Sequence, residues 1–275
     1  MPQVLVTRAP RKAAAFARAL EAALPAQKPA ELQLHCAPVL EAVPYTAEEW
    51  EETAFSLIRG VFSWVTFTSA NGVAAFEQLA RQLGQNSLTL LGAAQVAAVG
   101  TATEKALTDL GVLVDFVPEQ QSAAGMVAEW PLDDEWEDPT EETLLLVQGT
   151  TASAALETGL SDYGYTTVTL PVYDMQPYPA AHPLLERTEE DATALDLTAA
   201  QQLLDEIDVL VATSPLILTT LVGDRKGILP PIVAIGASTE EAAKNLPPAV
   251  LPEKILVAAS PEPSDLAAAV AEALS

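Results

Sequence analysis

The chain states one pattern twice, and that repeat narrows the folds open to it. Around residue 65 it reads VTFTSANGVAAFEQL, then AAVGTATEKAL, then PEQQSAAGMVAEW. Around residue 210 it reads VLVATSPLILTTLVG, then VAIGASTEEAAKNL, then ASPEPSDLAAAVAEAL. Each copy runs from an apolar strand through a Thr-Ser turn into a helix. A second strand then leads through Gly into another helix, and a Pro-Glu loop with a Ser opens a last helix. Short Val/Leu/Ile runs alternating with helices mark parallel sheets covered on both faces. Two such copies predict two similar lobes, with the cleft between them as the expected ligand site.

The 275 residues suffice for two ordinary domains. Apolar residues make up 49% of the chain and aromatics only 5%, so the core is expected to be built from Ala, Leu and Val. The net charge of −25 argues against nucleic acid and anionic membrane surfaces as partners, because both demand clustered Lys and Arg. The general effect of such acidity is solubility. The charge is uneven. Residues 1–28 hold Arg8, Arg11, Lys12, Arg18 and Lys28 against Glu21 alone, whereas the segment from Glu129 to Glu142 is acidic throughout and reads as an exposed, mobile loop. Within it, Asp133 and Asp134 read as solvated charges. Cys36 is alone, so neither an internal disulfide nor a cysteine metal cluster is expected. The N-terminus enters a strand at once, and no run approaches a membrane span, so the expectation is a soluble cytoplasmic protein.

Along the chain, Gln3–Thr7 and Leu32–Cys36 read as strands flanking a helix over Arg11–Leu24 that Pro25 ends. Pro38–Val43 and Leu170–Met175 are extended and Pro-flanked, and are expected to run side by side as a double connection. Between them the strands are Ser63–Thr68, Val96–Val99, Leu113–Val117, Thr143–Val147 and Thr166–Leu170, with helices from Ala70, Thr101, Ser122 and Ala152. After Pro179 and a polar loop at Glu186–Asp196 come strands Val209–Ala212, Ile232–Ile235 and Ile255–Ala258, with helices near Pro215, Ser238 and Pro263. The expected architecture is α/β: two flavodoxin-like domains, each a doubly wound parallel sheet, joined by a two-stranded connector. The first domain is discontinuous, 1–37 plus 176–275, and the second, 38–175, is inserted into it.

The strand ends share a vocabulary: Thr7-Arg8, Ser69 and Asn71 before Gly72, Gly100-Thr101, Gln148-Gly149-Thr150-Thr151, Thr213-Ser214-Pro215 and Gly236-Ala237-Ser238-Thr239. Two readings stand side by side. Ser, Thr and Asn there cap helices. Alternatively, several helix N-termini converge and hold an anion through backbone N–H groups, which would let an acidic protein bind an acidic ligand. No dinucleotide or Walker fingerprint is present, and His35 and His182, the only histidines, lie too far apart in sequence to point to a metal site or triad. Cys36 reads as a small core residue rather than a nucleophile. Tyr173, in LPVYDM, is either a hydrogen-bond donor and weak acid facing the cleft or a hinge residue packed on Pro171 or Pro177.

VLVTRAP, TFTSANGVAAF, AAVGTATEKAL, LLLVQG with GYTTVTLPVYDM, LVATSP and VAIGASTEEAAKNL, in this order and over nearly the whole chain, resemble the uroporphyrinogen-III synthase family. The resemblance implies that the substrate is hydroxymethylbilane, a linear tetrapyrrole bearing acetate and propionate groups. Water is eliminated to an azafulvene, ring D is attacked at its substituted position, and a spiro intermediate leads to the inverted ring. It implies no cofactor and no metal, a monomer, and a transient contact with the preceding pathway enzyme. By motif matching, Tyr173 assists departure of the hydroxyl. Thr7, Arg8, Ser69, Asn71, Gly100, Thr101, Ser122, Gly149, Thr213, Ser214, Ser238 and Thr239 line the substrate site. Many relatives carry an acidic residue and then an Arg after the Gly of LLLVQG. Gly149-Thr150-Thr151-Ala152-Ser153 has neither. Two rivals remain at this level: a non-catalytic two-lobed binder of a small ligand, and a nucleotide or sugar-phosphate enzyme on the same fold.

Overall fold

Val4, Leu5 and Val6 set the pattern of the fold. All three are fully buried, yet Val4 and Val6 join one apolar cluster and Leu5 another. A strand whose alternate residues both meet a core must be sandwiched between helices. The structure is a computed structural model, and it describes residues 1–24, 32–131 and 142–275. Pro25 and the acidic pair Asp133 and Asp134 lie outside the described residues.

In chain order the elements are β1 (Gln3–Val6), α1 (Pro10–Ala23), β2 (Gln33–Cys36), β3 (Leu40–Pro44), α2 (Trp50–Ile58), β4 (Trp64–Phe67), α3 (Ala70–Gln82) and α4 (Ser87–Leu91). There follow β5 (Gln95–Ala98), α5 (Thr101–Asp109), α6 (Ala123–Ala128), β6 (Thr143–Gly149), α7 (Ala155–Asp162) and β7 (Thr166–Pro177). After a 3-10 turn at Glu190–Thr193 come α8 (Leu197–Leu203), β8 (Val209–Ala212), α9 (Pro215–Val222), β9 (Gly227–Leu229) and β10 (Ile232–Ala234). The chain closes with α10 (Ala237–Lys244), β11 (Val250–Pro252), β12 (Ile255–Val257) and α11 (Pro263–Ala273). It divides into two compact units. Unit 1 holds Met1–Glu41, Pro177–Ala181 and Glu186–Ser275, and unit 2 holds Ala42–Gln176 and His182–Leu185.

The sheet of unit 1 has the order β12-β10-β8-β1-β2, with every pair parallel. Read from the other edge this is the flavodoxin-like order, and its direction of progression reverses between β1 and β8. On one face Val4, Val6, Val209 and Val211 pack against Phe16 and Leu20 of α1 and Leu266 and Val270 of α11. On the other, Leu5, Leu210 and Ile232 meet Ala200 of α8, Leu218 and Leu221 of α9 and Ala243 of α10. Helix α1 lacks a capping side chain at Ala9 and an acid in its first turn. Both deficits are met from a distance, because the carboxylate of Asp191, on the 3-10 turn, lies 3.2 Å from Arg11 Nε. Asp191 is only 2% exposed. Burial works against its charge, but the amide and hydroxyl of Thr188 and the charge and amide of Arg11 hold its pKa below the ordinary value. Nearby, Arg187 pairs with Glu41 and lies over the Tyr178 ring, whose hydroxyl donates to the Asp191 carbonyl at 2.7 Å.

The sheet of unit 2 has the order β3-β7-β6-β4-β5, and β4 to β7 are parallel. Its reversal lies between β4 and β6. One face carries Phe67, Phe76 and Trp50 in edge-to-face contact. The other carries Trp64, Trp130, Leu156 and Leu160. Strand β3 runs against β7: Tyr45 N–H donates to Val172, whereas Tyr178 N–H donates to Val39, so one index rises as the other falls. Glu77, on α3, is a buried acid in this unit. It accepts the Ser87 amide and hydroxyl at 2.8 Å each and Arg81 Nε at 2.7 Å. Burial opposes its ionisation, but these bonds prevail and lower its pKa. A depressed carboxylate pKa gives stability that is full above the unfolded value of 4.5 and is lost as the pH falls through the folded value. We therefore expect Glu77→Gln to cost about 1–2 kcal/mol at pH 7. The gap from the parent chain in urea titrations should close below about pH 4.

Several expectations change. Leu113–Val117 is not a strand. It makes a single bridge, Phe116 to Ala97. The Asp115 carboxylate takes the Val96 N–H at 2.8 Å, and Leu113 is 76% exposed. That side chain takes one ladder position, while the Asp115 and Phe116 amides donate to the Val96 carbonyl and the Phe116 carbonyl accepts Ala98 N–H. The helix expected from Ala152 starts at Ala155, because Gly149–Ala152 makes a turn. The stretch expected as a strand to Leu170 followed by a connector is one strand, β7. Helices α2, α4 and α8 and the two-stranded β9/β11 sheet were not foreseen. At the described edges of the acidic segment, Glu129 accepts the amides of Glu119 and Gln120, and Trp130 is core.

Candidate functional site

In a parallel sheet all carboxyl ends share one edge, and the space beyond the point where strand order reverses is the usual ligand position. In unit 2 that point brings together Ser69 after β4, Gly149 at the end of β6 and Tyr173 on β7. A bulge arranges this. Leu170 lies opposite Val147 and Pro171 opposite Gln148, but Gly149 faces Tyr173, so Val172 is the extra residue. Bulges re-aim side chains, and here the ring lands against a residue that has none. A methyl group on Gly149 would lie 2.8 Å from Tyr173 Cζ and 3.1 Å from its Oη. The ring also packs on the apolar cluster of unit 2.

The hydroxyls are ordered. Ser69 caps α3, its Oγ accepting Gly72 N–H at 3.0 Å, and donates to Tyr173 Oη at 3.0 Å. With Ser69 as donor, the phenol keeps its own proton to give elsewhere. Thr150 N–H donates to the Tyr173 carbonyl at 2.9 Å, and Thr150 Oγ1 donates to the Asp174 carboxylate. The loop that lacks an acid of its own is thus served by the residue after Tyr173. Asn71, half-buried on α3, sits two residues after Ser69.

The remaining residues of unit 2 form separate groups. Gly100 begins α5 without a side-chain cap, but Gln121 Oε1 accepts the Thr101 amide at 3.2 Å and its hydroxyl at 3.3 Å. Ser122 caps α6 by accepting Gly125 N–H at 2.9 Å.

In unit 1 the reversal point holds Thr7 and Thr213, which lock each other. Thr7 Oγ1 meets Thr213 Oγ1 at 2.9 Å, accepts Thr213 N–H at 3.0 Å and donates to Val211, and Thr213 Oγ1 reaches the Thr7 carbonyl at 2.9 Å. Thr7 is 1% exposed, so its hydroxyl is a clamp between β1 and β8. Ser214 caps α9 through Ile217 N–H. Gly236 begins α10 with no side-chain cap, Ser238 is exposed there, and Thr239 is buried. Arg8 leaves the end of β1 half-buried, with Lys12 four residues on in the first turn of α1.

Among the described residues no group of His, Cys, Asp and Glu is arranged to hold a metal ion. Cys36 is a half-buried thiol whose pKa is pushed up to about 11 by burial and by Glu190. His35 Nε2 lies 3.1 Å from Gln3 Oε1. No described helix is long and apolar enough to cross a membrane. Sequence reasoning missed Gln121 and Asp174. Adjacency to Tyr173 was an available signal for Asp174, and nothing local marks Gln121.

Comparison with known proteins gives a consistent result. A family model described as uroporphyrinogen-III synthase HemD matches residues 25–267. A curated uroporphyrinogen-III synthase from Chlorobaculum parvum is 30% identical over 218 residues, 78% of this chain and 76% of the relative. Among solved structures, a mutant uroporphyrinogen III synthase from the extremely thermophilic bacterium Thermus thermophilus covers 100% of this chain and 99% of its own, with TM-score 0.64 and 17% identity. Uroporphyrinogen-III synthetase from Helicobacter pylori covers 100% of both, with TM-score 0.56 and 15% identity. At those identities the structural likeness speaks for the fold.

Proposed function

Because the chain belongs to the uroporphyrinogen-III synthase family, we propose that it converts hydroxymethylbilane into uroporphyrinogen III with inversion of ring D. The observation that carries this reading is the convergence of Tyr173, Ser69 and Gly149 at the reversal point of the unit 2 sheet. The Tyr173 hydroxyl, fixed by Ser69, donates to the hydroxyl leaving the substrate, which departs as water. The azafulvene left behind is attacked by ring D at its substituted position. The resulting spiro species reopens and recloses on the other carbon. The free tetrapyrrole also cyclises without help, but without inversion, so the protein's main task is to hold the chain bent in the productive geometry. Ser69 and Asn71, beside Tyr173 in unit 2, are the proposed substrate contacts. Thr7 and Thr213 position the backbone that carries Arg8 and Ser214.

The test is turnover with isomer analysis. Incubated with freshly made hydroxymethylbilane, the protein should yield uroporphyrinogen III. Accumulation of only the non-inverted isomer, as in a protein-free control, sinks the reading and favours a binder. Tyr173→Phe should lower kcat about 10- to 100-fold, the worth of one hydrogen bond to developing charge at roughly 1.5–3 kcal/mol. Its thermal melt should match the parent chain, and an unchanged kcat would remove Tyr173 from the chemistry.

A further inference from the structure

We propose that two copies of this chain associate through the exposed face of α2, with the two helices antiparallel about a two-fold axis at Phe55. Helix α2 buries Trp50, Thr53, Ala54 and Leu57 in the core of unit 2. Its other face carries Glu51, Glu52, Phe55, Ile58 and Arg59, all exposed. Phe55 and Ile58 are each 59% exposed. Val61, in the turn after the helix, is exposed as well, and so is Leu88 on α4, which packs beside α2. Single apolar side chains on a surface need no explanation, but a group of four does. The helix dipole accounts for the acids at the start of α2 and for Arg59 at its end. It does not account for a Phe and an Ile left in water between them.

Charge points to a second copy as the occupant. Two molecules of charge −25 repel over most of their surfaces. The stretch 53–103 is the exception. It holds a single acid, Glu77, which is buried and bonded to Arg81 and Ser87. By contrast, Ile228, the exposed residue of β9, lines a cleft with Asp205, Asp208 and Glu253. The charges at the two ends of α2 are also self-complementary. Glu51 lies four residues before Phe55 and Arg59 four residues after it, about 6 Å to either side along the helix. A two-fold axis at Phe55 therefore sets each Arg59 against Glu51 of the second copy, as a closed isologous contact requires. None of Glu51, Glu52 and Arg59 has an ion-pair partner among the described residues, and the Arg59 guanidinium lies over the Phe55 ring, 5.6 Å from its centre. The antiparallel sense also separates like charges. The two Glu51 residues stand roughly 12 Å apart along the axis, beyond the Debye length of about 8 Å at physiological salt. A parallel pair would place the acid-rich starts of both helices, Glu48 to Glu52, side by side. Such a dimer departs from the monomer that the family resemblance implies.

Sedimentation velocity of the full chain at physiological salt tests the proposal, over roughly 1 to 300 μM, the range of weak specific association. The parent chain should pass from monomer to dimer across that range. Phe55→Ser and Ile58→Ser should each raise the dimer Kd at least about tenfold, with circular dichroism showing that both remain folded. Arg59→Glu and Glu51→Arg supply the sharper test. Each alone sets like charges against each other at both ends of the contact and should stay monomeric. An equal mixture of the two restores opposite charges at both ends and should associate as the parent chain does. A parent chain that remains monomeric throughout overturns the proposal and leaves the face to a different partner. A dimer indifferent to Phe55→Ser places the contact elsewhere and overturns it too. A mixture that associates no better than its two components refutes the antiparallel pairing.

Discussion

Gly149→Ala is expected to cut the rate of uroporphyrinogen III formation about a hundredfold while the protein stays folded. The added methyl group would stand 2.8 Å from Tyr173 Cζ and 3.0 Å from Cε2, well inside contact distance. Gly149 lies in β6 and is tied to β7 by the adjoining hydrogen bonds, so the ring must give way. Its displacement pulls Oη away from Ser69, and a misplacement of about 1 Å is enough for such a loss. The effect should match the upper end of that of Tyr173→Phe, which removes the hydroxyl and leaves the ring in place. Overpacking should cost about 1–3 kcal/mol of stability. Rate and isomer ratio are measured together with a thermal melt. A normal rate in a folded variant would mean that the Tyr173 position is irrelevant to the chemistry.

Asp191→Asn is expected to destabilise unit 1 by about 2–3 kcal/mol, below the roughly 3–5 kcal/mol of a fully buried broken pair. The reduction follows from Arg11, whose side chain is 34% exposed and can turn to water. The variant loses the charged partner of Arg11 and the anion at the start of α1, and keeps a single side-chain oxygen to accept Thr188 N–H. A Tm lower by roughly 4–12 °C corresponds to this cost in a unit of this size. A melt within a degree of the parent chain would show that the turn at Glu190–Thr193 does not hold α1 in place.

How legible these features were in the sequence depends on how local their causes are. Strands β4, β5, β8 and β10 were readable because each is a short apolar run ending in a Thr-Ser or Gly signal. The caps Ser69, Ser122 and Ser214 were readable for the same reason. Leu113–Val117 misled because its apolar periodicity is correct, while Asp115 supplies from a side chain what a neighbouring strand would supply from its backbone. Helices α2 and α4 are short, nine and five residues, and their burial comes from Trp50, Leu90 and Leu91 packing in the core of unit 2. The individual members of the site were named, but their grouping was not. No local pattern announces the bulge at Val172 that turns Tyr173 onto Gly149, or the reach of Asp191 across the chain to α1. At each strand end the sequence alone leaves capping and ligand binding as alternatives. Thr7 and Thr101 have their hydroxyls committed within the protein, whereas the Tyr173 phenol keeps a proton to donate.

The pairing of β1 with β8 joins residues about two hundred positions apart in the chain. A ribosome delivers β1, α1 and β2 first, and they must wait while nearly all of unit 2 emerges before β8, β10 and β12 exist. Unit 2, drawn from one nearly unbroken stretch, can close during that interval. Vectorial synthesis therefore lets the inserted half close first, while β1 keeps one edge unpaired until β8 emerges.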